Sequence, residues 1–202
     1  MTAPQALAIY VKDPENDLVK TRLAASIGQE AARSVYRKLL AHTRSVTDQL
    51  TGADSYVCYA NQLNAADGWQ SDRYARVKQA GSGLGERMEN TLTDLLGKGY
   101  QRVVLIGSDC PEINLQIMEQ AFEALYHCDL VLGPANDGGY YLVGMRRLLP
   151  GIFGLPTWSH NRVLQMTLEI ARAHQYSYTL LPALNDIDDL EDLQQYPDFL
   201  PK

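Results

Sequence analysis

Val103-Val104-Leu105-Ile106-Gly107-Ser108-Asp109-Cys110-Pro111 is the stretch that decides the fold. Val103 to Ile106 is an unbroken aliphatic run, the pattern of a strand buried on both faces, and Gly-Ser-Asp stops it abruptly. A carboxylate, Asp109, therefore stands at the mouth of a core strand. In an open α/β sheet, ligands bind in the crevice beyond the carboxyl ends of the strands, so Asp109 is the first candidate for function.

Working outward, residues 6–11 form a first apolar strand that ends at Lys12-Asp13-Pro14 and opens a polar loop over 12–22. From Gly28, Ala31, Val35, Leu39, Thr43, Val46 and Leu50 recur at helical spacing. Strands follow at 54–60 and 74–79, with a short helix or turn between them at 64–70. A glycine-rich connection at 81–85 leads into a helix over 86–96 closed by Gly97 and Gly99. Beyond Pro111 come a helix at 115–126, a core strand at 129–133 and a short apolar segment at 140–145. Too little chain precedes that last segment for a helical crossover, so it must be antiparallel or irregular. Ser159 can cap a helix running to about residue 173, 177–181 reads as a last strand, and a short helix at 189–195 closes the chain. Strands alternating with helices at this spacing predict one α/β domain over residues 1–202, with a mixed, mostly parallel sheet and helices on both faces.

The composition narrows the function. A net charge of −6 argues against nucleic-acid binding, which needs a basic face to displace counterions, but leaves room for a local phosphate site. No apolar run reaches the length of a membrane span, and Met1-Thr2-Ala3-Pro4 lacks a secretion signal, so a cytoplasmic location is expected. Cys58, Cys110 and Cys128 show no C-x-x-C spacing and read as reduced thiols.

Three loops carry chemistry. In the loop at 12–22, Lys20 and Arg22 flank Thr21 just past a buried strand, which suits either a phosphate cradle or a solvated basic patch. Asn16 and Asp17 are the residues there able to take a left-handed turn. Gly81, Gly83 and Gly85 let backbone approach a base or sugar, or simply make a flexible connection; Glu86 stands where a dinucleotide fingerprint needs glycine. The third group is acidic: Asp109, Asp137, Asp186 and Asp188. Aspartates at strand ends suit Mg²⁺ or Mn²⁺ shared with phosphate oxygens, and in an extended Asp186-Ile187-Asp188 both carboxylates share a side. Helix capping is the competing role for Asp188. Tyr140 and Trp158 can stack on a base or sugar or belong to the core. Cys110 beside Asp109 is a poor nucleophile.

Together these motifs, Lys12-x-Pro14 with Val19-Lys20-Thr21-Arg22-Leu23, Leu84-Gly85-Glu86-Arg87-Met88, Ile106 to Pro111, Gly133-Pro134-x-x-Asp137-Gly138-Gly139-Tyr140-Tyr141-Leu142-x-Gly144 and Trp158-Ser159, resemble the bacterial DUF2064 family. That family is described as glycosyltransferase-A-type nucleotide-diphospho-sugar transferases, some linked with arsenosugar biosynthesis. More distantly, the chain is similar to molybdenum-cofactor and phospholactate guanylyltransferases. The resemblance implies the nucleotide-diphospho-sugar transferase fold and a nucleotide site drawn from Lys12, Lys20, Thr21, Arg22, Gly81, Gly83, Leu84, Gly85 and Ser108. It implies that Lys20 and Arg22 face the phosphates and that residues 81–85 lie near the base. Asp109 becomes the metal ligand, completed by Asp186 and Asp188 through likeness to the guanylyltransferases. Asp137, Gly138, Gly139, Tyr140, Tyr141 and Trp158 line the acceptor side; Asp109 and Asp137 are the expected catalytic carboxylates, Asp137 as base or electrostatic support. Where the family shows Pro-Gly this chain has Asn16-Asp17, which puts a negative charge beside the phosphate loop.

The expected activity is thus a Mg²⁺- or Mn²⁺-dependent transferase moving a glycosyl group from a nucleotide sugar to a small acceptor. Its rivals are nucleotidyl transfer from a nucleoside triphosphate to a phosphorylated acceptor, with release of pyrophosphate, and a non-catalytic nucleotide-binding protein.

Overall fold

The computed structural model describes residues 4–63, 68–158 and 160–201. Its seven strands are β1 (Gln5–Val11), β2 (Asp54–Tyr59), β3 (Tyr74–Lys78), β4 (Arg102–Ile106), β5 (Leu130–Pro134), β6 (Tyr140–Met145) and β7 (Tyr178–Leu180). They form one sheet in the order β3-β2-β1-β4-β6-β5-β7. Only β6 is antiparallel to its neighbours, paired with both β4 and β5. The connection at 135–139 is too short for anything but a hairpin, as the sequence predicts.

Strand alternation divides the core. Leu7, Ile9, Val104 and Ile106 point to one face, covered by α2 (Gln29–Thr47) and α4 (Leu115–Ala124), whose Val46, Ile117, Met118 and Phe122 pack there. Ala6, Ala8, Val103 and Leu105 point to the other, covered by α3 (Leu84–Gly97) and α5 (Val163–Ala173) through Met88, Leu92, Leu95 and Leu168. A third cluster forms beyond the strand ends, where Val19 and Leu23 of the first loop and α1 (Thr21–Ile27) meet Val35, Tyr36 and Leu39 of α2. Leu193 of α6 (Leu190–Gln194), and Ile187 just before that helix, complete it. This satellite core fixes the two segments that carry Lys20 and Asp186–Asp188.

Several boundaries move. The loop read at 12–22 already becomes helical at Thr21, because α1 precedes α2 and is separated from it by Gly28 at φ 87°. On α2, Ala32 and Tyr36 are buried, so the inward face is turned slightly from the expected register that included Ala31. Helix α5 starts at Val163 with Arg162 at its cap; Ser159, the expected cap, lies outside the described residues, as does 64–67 of the expected short helix. Among the described residues no helix is long and apolar enough to cross a membrane.

Candidate active site

The strands β2 and β3 run outward from β1 on one side, and β4, β6, β5 and β7 on the other, so the topological switch lies between β1 and β4. A cavity of about 670 Å³ opens beyond their carboxyl ends. That is the place and size expected of a ligand site in such a sheet. Lys12, Lys20, Thr21 and Arg22 reach it from the β1 exit, Ser108 and Asp109 from the β4 exit. Asp137, Tyr140 and Tyr141 reach it from the β5–β6 hairpin, and Asp186 and Asp188 from the segment before α6.

Lys20 stands at the centre. Its backbone is left-handed (φ 46°, ψ 52°), a conformation that costs a non-glycine residue about 1 kcal/mol or more and persists only where its surroundings over-determine it. Here they do: Val19 and Leu23 on either side are buried in the satellite core. The ammonium lies 3.1 Å from Asp109 Oδ2 and 2.9 Å from Asp188 Oδ1, with the side chain only 6% exposed. Burial alone lowers an ammonium's pKa, but Asp109 and Asp188 outweigh it and hold Lys20 above its ordinary value. Arg22, at the start of α1, pairs with the other oxygen of Asp188.

Asp188 is free for this work because it is not the cap. Asp189 is: its carboxylate accepts from the backbone N–H of Glu191 and Asp192, and Asp192 returns the bond, a capping box. The capping role weighed for Asp188 thus falls one residue later. Burial raises the Asp188 carboxyl, yet Lys20 and Arg22 outweigh it and hold it below the ordinary range.

Asp186 is the contrasting acid. Its Oδ1 is buried without a hydrogen-bond partner. Burial first, then the charge of Asp109, pushes its carboxyl up to about 8. Ile187 N–H donates to Asp109 C=O at 3.1 Å, so the segment is stitched to the β4 exit. An orphaned carboxylate oxygen beside a second, partly exposed carboxylate is what a hard divalent cation satisfies, using one or two carboxylates and leaving room for phosphate oxygens. The donor set therefore fits Mg²⁺ or Mn²⁺ at Asp109 and Asp186. Asp188, expected as a third ligand, is engaged by two cations instead, and among the described residues no three acids gather into one metal cage.

The loop that carries Lys20 is braced from within. Asp17 is buried; its carboxylate accepts from Asp13 N–H at 2.8 Å and from Asn61 Nδ2 at 2.7 Å. It does not line the cavity, so its negative charge is engaged within the loop rather than turned to the cavity. The left-handed residue is Lys20, not Asn16 or Asp17.

The glycine loop divides. Gly83 and Leu84 line the cavity, while Gly81 takes φ 132° and passes its carbonyl to Arg87 Nε at 3.0 Å. Gly85 faces away: a Cβ there would lie 2.5 Å from Trp158 Nε1. Trp158 in turn stacks on Phe153 and meets Tyr140 edge-on. Gly85 and Trp158 are thus packed on each other behind the cavity wall. In the hairpin, Gly139 N–H donates to Asp137 Oδ1 at 2.8 Å, and Gly138, at φ 93°, has no room for a side chain against Asn161 C=O. These two glycines shape the loop that presents Asp137 and do not line the cavity themselves. Cys110 is buried, and burial with Asp186 nearby pushes its thiol upward, leaving no nucleophile.

A family model described as "Uncharacterized protein conserved in bacteria (DUF2064)" matches residues 43–160. The chain belongs to the DUF2064 family. A crystal structure from Desulfovibrio desulfuricans G20, of a protein provisionally assigned as a nucleotide-diphospho-sugar transferase, is 34% identical. It superposes with a TM-score of 0.87 over 96% of this chain and 85% of that one. A curated relative, phosphoenolpyruvate guanylyltransferase of Chloroflexus aggregans (strain MD-66 / DSM 9485), is 25% identical over 88% of this chain and 90% of its own. Rv0371c of Mycobacterium tuberculosis H37Rv, solved in complex with manganese, shares the fold at 11% identity, with a TM-score of 0.53 over 95% of this chain and 96% of that one.

The DUF2064 chain also brings to the cavity residues that the sequence reading left without a role. Tyr36 donates or accepts at Ser108 Oγ (3.0 Å) and accepts from Lys12 N–H (2.9 Å), and burial pushes its phenol to about 12. Arg87 and Gln79 line the wall near Gly83, with Gln79 Nε2 donating to Cys58 C=O at 2.8 Å. Arg87 stood inside a recognised motif and could have been noticed as its one cation. Tyr36 is buried on α2 beside the expected inward face, which was read through Ala31, Val35 and Leu39 and did not include it.

Proposed function

We propose that this chain is a divalent-cation-assisted transferase using a nucleotide-activated donor, and that it moves a glycosyl group from a nucleotide-diphospho-sugar to a small acceptor. The observation that carries this reading is one cavity in which the cations of the β1 exit face Asp109 and Asp186 across the central strands. The similarity to the D. desulfuricans protein over nearly the whole chain supports it.

In glycosyl transfer the bond from the anomeric carbon to the diphosphate oxygen breaks, and the nucleoside diphosphate leaves with the electron pair. Asp109 and Asp186 would hold Mg²⁺ or Mn²⁺, which supplies charge neutralisation for that leaving group when bound. Lys20 and Arg22 hold phosphate oxygens and share the developing charge. Asp137, with one oxygen fixed by Gly139 N–H, takes the proton of the acceptor hydroxyl as its oxygen bonds to the anomeric carbon. Tyr140 and Tyr141 form the acceptor wall.

A second reading is nucleotidyl transfer, in which an acceptor phosphate attacks the α-phosphate of a triphosphate and pyrophosphate departs. The guanylyltransferase relative favours it, as do the four cations at the cavity, Lys12, Lys20, Arg22 and Arg87. Thermal-shift titration with UDP-sugars, GDP-sugars, GTP and CTP, with and without Mn²⁺, tests both. Stabilisation by a nucleotide sugar together with Mn²⁺ is expected. Stabilisation by triphosphates alone rejects glycosyl transfer, and no response to any nucleotide rejects both.

A further inference from the structure

We infer that Lys20 is a latch on the cation site: it occupies Asp109 until donor phosphates draw it away, so that donor and divalent cation each strengthen the binding of the other. The inference rests on the nucleotide-donor reading and adds to it the order in which the site assembles.

Lys20 is a single buried ammonium shared between two loops, 3.1 Å from Asp109 on the β4 exit and 2.9 Å from Asp188 before α6. Among the described residues it is the only cation paired with Asp109, whose side chain is still 39% exposed toward the cavity. A divalent cation taking Asp109 and Asp186 arrives next to that ammonium and competes with it for the same carboxylate. Like charges at this separation, in a site mostly withdrawn from water, repel strongly. With Lys20 in place the cation therefore binds a site whose best ligand is already neutralised, and its apparent affinity falls by the fraction of time the latch is closed.

A diphosphate offers Lys20 a different anionic partner in the same cavity. Once Lys20 turns to it, Asp109 is uncovered, and the cation gains both a carboxylate and phosphate oxygens. By thermodynamic linkage the gain is mutual. Arg22 cannot play this part. It is 66% exposed and pairs with Asp188 alone, so it can serve a phosphate without uncovering Asp109. The left-handed backbone of Lys20, set by buried neighbours on both sides, keeps the ammonium aimed between the two acids rather than out into solvent.

Binding of Mn²⁺ to the protein without nucleotide, followed by the EPR signal of free Mn²⁺, tests the latch directly. Lys20→Met is expected to bind Mn²⁺ about tenfold tighter than the wild type, and Arg22→Met within about twofold of it. With GDP or UDP present, and the Mn²⁺–nucleotide complex in solution subtracted, the wild type gains more affinity for Mn²⁺ than Lys20→Met does, because only the wild type has a carboxylate to uncover. Should Lys20→Met lose its fold by circular dichroism, Lys20→Gln, which keeps a donor for both acids, carries the same comparison. A Lys20 variant that binds Mn²⁺ no tighter than the wild type overturns the latch. So does an Arg22→Met variant that gains as much. Because the first comparison contains no nucleotide, its failure is distinguishable from failure of the donor reading, which shows instead as absence of nucleotide binding by the wild type.

Discussion

Tyr36 shows how one hydroxyl can hold a site open. It accepts from Lys12 N–H at the β1 exit and bonds Ser108 Oγ at the β4 exit, so it sets the spacing between the loop that carries the cations and the loop that carries Asp109. Tyr36→Phe keeps the ring and deletes both bonds, leaving buried polar groups unsatisfied at a cost of about 1–3 kcal/mol. The expected result is a lower denaturation midpoint together with weaker nucleotide-dependent stabilisation. A variant that loses stability but binds nucleotide as before would leave Tyr36 a core residue only. Residues of this kind are hard to read in advance, because the partners of Tyr36 lie 24 and 72 positions away in the chain. Lys20 was legible as a cation in the right loop, but its left-handed backbone was not. Side-chain chemistry pointed to Asn16 and Asp17, and the buried ion pairs and satellite core decided for Lys20. Gly85 and Trp158 looked like ligand contacts because a glycine needed for close approach to a ring reads the same whether the ring belongs to a ligand or to the protein.

Among elements, the shortest matter most to the site. Helix α6 spans only five residues, yet its cap Asp189 and its buried Leu193 hold the preceding Asp186–Asp188 segment against α1 and α2. Asp189→Ala removes the acceptor for two backbone N–H groups and is expected to cost about 1 kcal/mol. Its distinguishing mark is local: hydrogen exchange at residues 186–193 should quicken while the strands stay protected. Unchanged exchange there would show that Leu193 alone anchors the segment. The long elements were readable, since β4 declares itself by an aliphatic run and β6 by the shortness of the chain before it. Helix α1 was not, because seven residues with only Leu23 buried give no periodicity to find.

At the scale of the molecule, the sheet has a working end and a fastened end. The site occupies the carboxyl ends of β1 and β4, whereas at the opposite edge Asp129 ties the start of β5 to the start of β7 and the end of β6. Its carboxylate accepts from Ser177 N–H at 3.2 Å and Ser177 Oγ at 2.9 Å, and from Arg146 Nε and Arg147 Nε, each at 3.2 Å. Burial raises this carboxyl, but the bonds from Ser177 and Arg147 outweigh it and hold it at about 2. A carboxyl lowered in the folded state stabilises the fold above its ordinary value near 3.9, and that contribution is lost as pH falls through the folded value. Asp129→Asn keeps the shape and removes the charge, and its amide nitrogen replaces one of the two oxygens, so either the Ser177 donors or the Arg146 and Arg147 donors lose their acceptor. Its unfolding free energy should therefore be lower by about 1–3 kcal/mol at neutral pH. The gap to the wild type should narrow from about pH 4 downward and be mostly gone near pH 2, where the folded wild-type carboxyl is about half protonated. Urea titrations of both proteins across that range measure it, and a gap that stays constant to pH 2 would mean that Asp129 fastens the sheet by shape rather than by charge. Cation and nucleotide binding at the far end should be unaffected by the substitution wherever the variant is folded, since none of the residues that pair with Asp129, namely Ser177, Arg146 and Arg147, lines the cavity.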